Sequence, residues 1–257
     1  MGSVPSGSDD RRDDGGPRAG AEGAEVSVRP GELFRGVVRG RTGTDVPAAL
    51  CRACVDLMDV SGVSLSLSGA DLDTRTLWWS SDPVAGRLAE AQYTLGDGPW
   101  RTAVSLVAPV LADDLSGGAD AARWPVFAAQ AVALGVRAVF SVPLGSSAVA
   151  IGTLDLYRDR AGPLSPRDRS FAFAAADAIT TALLALQRQD DRLDGSWLDE
   201  AETDHEDVHY ATGMIMVHLG VDPHQALARL RAHAFTRGQS VTAAAGDVIA
   251  GKVRFYD

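Results

Sequence analysis

The stretch YATGMIMVHLGVDPHQALARLRAHA, residues 210–234, has the pattern of two short helices joined by a turn. Apolar residues recur on one face of the first helix at Val208, Ala211, Ile215 and Leu219. Asp222 and Pro223 supply an N-cap and a first-turn proline for the second helix, and Gln225 is placed for a capping box. Gly238 is placed to end that helix. The stretch contains no obvious catalytic group, so it predicts a binding or packing element.

A third helix follows, because Ser240 can cap it and Ala245, Val248 and Ile249 would face inward. The three helices form a unit of about 50 residues, which is marginal alone and needs a neighbouring helix or a partner chain. Its charge differs from that of the chain, whose formal net charge is −10, because residues 208–257 contain five basic and three acidic residues. The basic residues are Arg229, Arg231, Arg237, Lys252 and Arg254. They form either a phosphate-contacting face or an ordinary solvated surface.

A zinc site is suggested by HEDVH, residues 205–209, which formally satisfies H-E-x-x-H. The flanking sequence is polar and acidic, and the chain that follows is too short to build a protease cleft around such a helix. We therefore expect no metal site and no zinc hydrolysis. Nor do we find a phosphate-binding glycine loop, a nucleophile elbow or paired carboxylates, so we expect that the protein is not an enzyme.

The preceding part of the chain predicts a separate domain. Residues 1–43 have few large apolar side chains, and we expect a disordered tail there. A helix is expected at 46–60, where Cys51 and Cys54 are placed for packing. Alternating Val63, Leu65 and Leu67 against serines predicts a half-buried strand at 62–69. Further strands are expected at 76–81, 109–115, 137–144 and 149–159, and further helices at 83–93, 99–106, 125–134 and 165–189.

This order predicts an α+β domain over residues 44–187, with a mainly antiparallel sheet flanked by helices. An acidic helical linker over 188–207 and an all-α domain over 208–257 complete the expected organisation. Ile179, Leu186 and Leu193 are seven residues apart and Trp197 follows, so the linker is either a short dimerising coiled coil or a solvated helix. No apolar run reaches the roughly 20 residues that span a bilayer, and no signal peptide is visible. We expect a cytoplasmic protein without membrane contact.

The C-terminal sequence VHYATGMIMVHLGVDPHQALARLRAHAFTRGQSVTAAAGDVIAGKVRF resembles an ANTAR domain, a bacterial RNA-binding module of three helices. The matching positions are Ala211, Thr212, Gly213, Ala226, Leu230, Arg231, Ala234 and Ala245. The resemblance implies a homodimer that binds stem-loops in nascent RNA and promotes transcription antitermination. RNA contacts are then expected from Ala211, Thr212, Gly213, Arg229, Arg231, Lys252 and Arg254. A ligand-responsive protein-interaction module without RNA binding is the alternative.

Residues 44–187 are similar to a GAF domain. The resemblance is carried by QYTLGDGPW (92–100), PVLADDL (109–115), RWPVFAAQAVALGVRAVFSVPL (123–144) and IGTLDLYRD (151–159). It implies a sensor of a small molecule or a protein signal. Because no histidine precedes His205, we expect no histidine-ligated haem. An apolar ligand pocket formed by Tyr93, Trp100 and Phe140 is one interpretation, and core packing of the three aromatic rings is the other. No cofactor is otherwise expected, and the acidic segment 199–207 is hypothesised to mask the basic helices.

Overall fold

The computed structural model describes residues 29–68, 75–146, 148–190 and 206–256. The strands are β1 (Gly62–Ser68), β2 (Arg75–Ser80), β3 (Val110–Ala112), β4 (Ala138–Gly145) and β5 (Ala150–Arg158). The N-terminal helices are α1 (Pro30–Val38), α2 (Asp45–Leu57), α3 (Pro83–Leu95), α4 (Pro99–Leu106), α5 (Gly118–Arg123), α6 (Pro125–Ala133) and α7 (Pro166–Asp190). The C-terminal helices are α8 (Glu206–Leu219), α9 (Pro223–Arg237) and α10 (Val241–Ile249). The predicted fold class, an α+β domain followed by an all-α domain, is confirmed.

The strands form one sheet in the order β2-β1-β5-β4-β3, in which every neighbouring pair is antiparallel. Val63, Leu65 and Leu67 of β1 face a core beneath α2 and α7. The serines between them were expected on an exposed face, and this expectation is wrong, since Ser64 and Ser66 are also buried. The reason is that α3 and α4 cover the second face of the sheet, so the sheet is an inner layer.

Helix α1 lies within residues 1–43, where a disordered tail was predicted. Residues 30–38 form a helix, and Phe34 is 1% exposed within the same core as α2 and α7. Its ring meets the ring of Phe171 edge-on at 6.1 Å between centroids. The tail prediction is therefore wrong for this segment, and residues 1–28 lie outside the described residues.

α7 also departs from expectation, because 23 of its residues, Pro166–Arg188, are long and apolar enough to cross a membrane by length and composition. The expectation that no segment reaches this length is wrong. In the fold, however, Ala172, Ala175 and Ile179 are fully buried against the sheet. The helix is therefore apolar because it is the long core helix of this domain.

The other side of the sheet carries α3 to α6. α3 has a complete N-cap, since the Asp82 carboxylate accepts hydrogen bonds from the amides of Val84 and Ala85 at 2.8 and 3.0 Å. α5 was not predicted, and β3 is shorter than the strand expected at 109–115. β3 lies at the edge of the sheet, where β4 pairs with it.

The two cysteines lie on α2, as predicted, and both are buried. Burial raises the pKa of the Cys51 thiol and raises that of Cys54 to about 12. Both thiols are therefore protonated packing groups at neutral pH.

The C-terminal helices have the predicted capping residues at their ends. The Asp222 carboxylate accepts from the amide of Gln225 at 2.9 Å, and the Ser240 hydroxyl accepts from the amide of Ala243 at 3.1 Å. Gly238 ends α9 in the left-handed conformation, with φ of 64°. The predicted linker and its coiled-coil residues Leu193 and Trp197 lie outside the described residues.

Candidate functional site

The C-terminal helices pack against α3 of the N-terminal domain. Their shared apolar core contains Ala211, Ile215, Leu230 and Val248, together with the buried Tyr93 from α3. Within the part of the chain that the structure describes, Tyr93 is the one residue of the N-terminal domain in this cluster. We call the packing of α9 and α10 on the last two turns of α3 the docking contact.

Arg231 of α9 occupies the centre of the docking contact. Its Nε donates to the backbone carbonyl of Tyr93 at 3.2 Å, and its guanidinium lies 5.5 Å from the centroid of the Tyr93 ring. Gly96 ends α3 with φ of +63°, and a Cβ there would lie 2.9 Å from Nη1 of Arg231. Glycine is thus favoured at this position by the left-handed helix end, and a Cβ there would require the Arg231 guanidinium to shift.

A second set of polar contacts joins α3 to α10. The hydroxyl of Thr94 accepts from the amide of Val241 at 3.0 Å, and the hydroxyl of Thr242 lies 3.5 Å from Oε1 of Glu90. Burial raises the pKa of the Glu90 carboxyl, although hydrogen bonds from Thr94, Ser240 and Thr242 oppose the shift. The contact therefore includes a desolvated carboxyl, whose ionised form is disfavoured there.

The structure does not place all the predicted RNA-binding residues on one surface. Ala211 is fully buried between helices, so its small size serves packing, which corrects its expected place on an RNA-contacting surface. Thr212 is half-buried and donates its hydroxyl to the carbonyl of Val208 at 2.7 Å. Gly213 is exposed, with open space where a Cβ would stand.

The remaining predicted RNA-binding residues are basic. Arg229 and Arg254 are exposed. Lys252 is exposed and paired with Asp247, whose Oδ1 is 2.9 Å from Nζ. Arg231 is half-buried in the docking contact. The exposed basic side chains are therefore available to a polyanion in this conformation, whereas Arg231 is engaged by α3.

A cluster of buried polar groups lies between the sheet and α3. Arg75 is 1% exposed, and it donates to Oδ2 of Asp155 at 2.5 Å and to the carbonyl of Ala89 at 3.0 Å. Its guanidinium lies 4.7 Å from the centroid of the Trp100 ring. Burial lowers the pKa of Arg75, and Asp155 opposes that change. We call Arg75, Asp155 and Trp100, with the serines described next, the polar cluster.

Several atoms of the polar cluster lack a hydrogen-bond partner among the described residues. They are Ser66 Oγ, Arg75 Nε, Trp100 Nε1, Ser141 Oγ and Asp155 Oδ1. Strand pairing places Ser141 opposite Asp155 across β4 and β5, and the contact with Arg75 places Trp100 of α4 beside them. Buried polar groups are usually paired, and leaving them unpaired costs free energy. The cluster therefore contains donors and an acceptor that no described residue satisfies.

Two glycines and a glutamine set the position of Trp100 at the start of α4. Oε1 of Gln92 accepts from the amide of Trp100 at 3.0 Å. A Cβ at Gly98, whose φ is +132°, would lie 2.7 Å from that same oxygen. Within QYTLGDGPW, the Gln92 side chain thus joins the end of α3 to the start of α4. Gly98 leaves room for that side chain, whereas Gly96 lies next to the guanidinium of Arg231.

The three aromatic residues of the predicted apolar pocket are not brought together. Tyr93 belongs to the docking contact, Trp100 belongs to the polar cluster, and Phe140 lies in the core on the opposite face of the sheet. This distribution contradicts a single pocket and agrees with the alternative of core packing. The pattern missed Arg75 and Asp155 because a side-chain hydrogen bond across β1 joins these residues, which are 80 positions apart in sequence.

The structure describes only one of the two histidines of the HEDVH motif, at which we expected no metal site. His205 lies outside the described residues, and His209 is exposed on α8. Among residues 29–68, 75–146, 148–190 and 206–256, no group of three or more His, Cys, Asp or Glu side chains is placed to hold a metal ion.

Residues 198–249 match the model of the ANTAR domain family. The match begins before α8, in residues that the structure does not describe, and ends at the last residue of α10. No curated protein matches the chain.

Solved structures resemble the N-terminal domain at low identity. The GAF domain of a phosphoenolpyruvate-protein phosphotransferase from Acinetobacter is 13% identical, with a TM-score of 0.48, and the match covers 65% of this chain and 99% of that one. The corresponding Coxiella burnetii domain is 10% identical, with a TM-score of 0.49, covering 63% and 95%. The GAF domain of a two-component sensor histidine kinase from Bacillus halodurans is 13% identical, with a TM-score of 0.44, covering 58% and 98%.

Proposed function

Because residues 198–249 form an ANTAR domain, we propose that this protein binds stem-loops in nascent RNA and regulates transcription antitermination. The family match is the observation that carries the proposal. The exposed Arg229 and Arg254 and the Arg231 side chain supply the positive charge that RNA phosphates require, in a chain whose net charge is otherwise strongly negative. We infer a homodimer that acts in the cytoplasm, where nascent transcripts are found, and that carries out no chemical reaction.

The first experiment is crosslinking in the cells of origin followed by sequencing of the bound RNA. We expect enrichment of leader transcripts with paired stem-loops, and the enriched RNA then serves as the probe for binding in vitro. A protein partner captured with no enriched transcript would instead support the protein-interaction alternative.

Arg229 and Arg237 provide a matched pair of variants for that binding assay. Both arginines lie on α9 and are exposed, but only Arg229 belongs to the proposed RNA surface. Arg229→Ala should weaken RNA binding, since one phosphate contact is lost. The plot of log K against log salt concentration should become less steep by about 1. Arg237→Ala should leave both quantities near those of the unchanged protein. Equal effects of the two variants would contradict the assigned surface.

The N-terminal domain is proposed to sense a small polar molecule at the polar cluster. Arg75 Nε and Trp100 Nε1 would donate to an oxygen of the guest, and Asp155 Oδ1 would accept from an amine or hydroxyl. Free amino acids carry both kinds of group and are suitable probes. Thermal unfolding in their presence tests the proposal, because a ligand at 100 times its Kd stabilises the folded state by about 2.7 kcal/mol. A panel with no shift at millimolar concentration would contradict this ligand class.

A further inference from the structure

We propose that the docking contact is autoinhibitory: α3 holds Arg231 against Tyr93 and so keeps the ANTAR domain from RNA until the contact opens. The inference rests on the proposed RNA-binding function and adds its regulation. It also differs from masking by the acidic segment, since the inhibitory element is a helix of the sensor domain.

The first step is that α3 and RNA compete for one side chain. The Nε of Arg231 is used by the carbonyl of Tyr93, and the face of its guanidinium lies over the Tyr93 ring. Guanidinium groups recognise RNA through the same donors and by stacking on bases. Contact with RNA through this arginine therefore requires that it leave α3.

The second step is that the polar contacts with the C-terminal helices gather at one end of α3. Glu90, Tyr93, Thr94 and Gly96, which make contacts with α9 and α10, all belong to the last two turns of α3 or its end. Glu90 is desolvated there, with its pKa raised. Opening the contact breaks the hydrogen bonds of Arg231 and Thr94 and exposes the Tyr93 ring, while the return of the Glu90 carboxyl to water offsets part of that cost.

The third step is that α3 also reaches the polar cluster. The carbonyl of Ala89 accepts from Arg75, and the side chain of Gln92 accepts from the amide of Trp100. These residues alternate along the helix with Glu90, Tyr93 and Thr94, which face the ANTAR domain. A change at the polar cluster is therefore transmitted to the docking contact through one rigid helix.

The test uses the full-length protein and variants on the N-terminal side, so that the RNA surface stays unchanged. Glu90→Arg places a positive charge next to α10, and Asp177→Arg makes the same charge change on an exposed position of α7. Thr94→Arg and its control Thr181→Arg form a second pair, because Thr94 is buried in the contact and Thr181 is exposed on α7. Hydrogen exchange of α9 amides reports undocking, and exchange of β4 and β5 amides reports the integrity of the sheet.

We expect both contact variants to exchange faster in α9 and to bind the crosslinked stem-loop RNA at least about 5-fold more tightly than their controls, the lower end of typical coupling. Unchanged RNA affinity would overturn autoinhibition, whether or not the α9 amides exchange faster. If no form of the protein binds RNA while α9 still exchanges faster in the contact variants, the proposed function fails and the docking contact stands. A variant whose sheet amides lose protection is set aside in favour of the other pair.

Discussion

At the scale of single residues, the hydroxyl of Ser141 is buried without a hydrogen-bond partner among the described residues. Ser141→Ala should leave the free energy of unfolding unchanged or raise it by up to about 1–3 kcal/mol, because an unpaired buried polar group is removed with little change in volume. Urea denaturation without ligand measures this.

Thr180→Val is the contrasting variant. The Thr180 hydroxyl accepts from the amide of Gly145 at 3.0 Å, so its loss should cost about 0.5–1.5 kcal/mol or more. A comparable loss of stability in Ser141→Ala would show that the Ser141 hydroxyl is satisfied, and it would weaken the case for a guest in the polar cluster.

The raised pKa of Glu90 predicts that the free energy of unfolding depends on pH. Its pKa in the folded state is raised from the ordinary value of 4.5, chiefly by burial, and hydrogen bonds from Thr94, Ser240 and Thr242 oppose this. The Glu90 carboxylate also acts electrostatically on Arg75, whose pKa it raises against the effect of burial. A raised carboxyl pKa gives stability that is fully present below the unfolded pKa and is lost as the pH rises through the folded pKa.

Glu90→Gln should therefore remove that decline and stabilise the fold at neutral pH, since the amide oxygen can still accept from Thr94 and Thr242. Thermal unfolding from pH 4 to pH 8 would show a flatter profile for the variant than for the unchanged protein. The same slope in both proteins would contradict the shift.

Single residues were predictable where the cause of their placement is local. The capping roles of Asp222, Ser240 and Gly238 follow from backbone geometry within one turn, and the structure has all three. The role of Arg231 was not predictable in full, because its partner Tyr93 is 138 residues away in sequence. Charge and helical spacing indicated a cationic side chain, but the pattern had no means of showing that another domain holds it.

At the scale of elements, α1 shows where composition misled. The segment PGELFRGVV follows a polar, glycine-rich stretch, although Leu33, Phe34, Val37 and Val38 have helical spacing and Pro30 marks a helix start. A helix of nine residues is marginal without a partner. Its partner is the side of α7 that carries Phe171, so tertiary packing decides its structure. The serines of β1 were misplaced for a related reason, since alternation cannot show that helices cover both faces of a sheet.

Phe34→Ala tests the place of α1 in the domain. Because Phe34 is 1% exposed, we expect a loss of roughly 3–5 kcal/mol in the free energy of unfolding, from lost burial and a cavity. Arg39→Ala, one residue past the helix and exposed, should stay within about 0.5 kcal/mol. Equal stability of the two variants would mean that α1 contributes little to the core.

At the scale of the whole molecule, the proposed regulation joins three regions into one path: a polar cluster, a helix that contacts it, and an ANTAR domain docked on that helix. The antiparallel sheet and three-helix unit were predictable because each is defined by local periodicity. The packing of one on the other was not, since no periodic pattern records which surface of α3 is shared. The proposed regulation depends on that unpredicted contact.

The path predicts reciprocal coupling between the small molecule and RNA. An amino acid that raises the unfolding temperature should change RNA affinity by some factor, and saturating RNA should change the affinity for that amino acid by the same factor. Titrations in both directions on the full-length protein measure the two factors. In Ser141→Ala the effect of the amino acid on RNA binding should be reduced, while RNA affinity without the amino acid stays unchanged.

Thr94→Arg gives the opposite pattern, because Thr94 lies in the docking contact with α10, whereas Arg75, Asp155 and Trp100 form the polar cluster. The amino acid should still bind, yet RNA affinity should be high whether or not it is present. A coupling factor in Thr94→Arg equal to that of the unchanged protein would place the connection outside α3. Loss of coupling with ligand binding retained would identify α3 as the element through which the sensor domain controls access to Arg231.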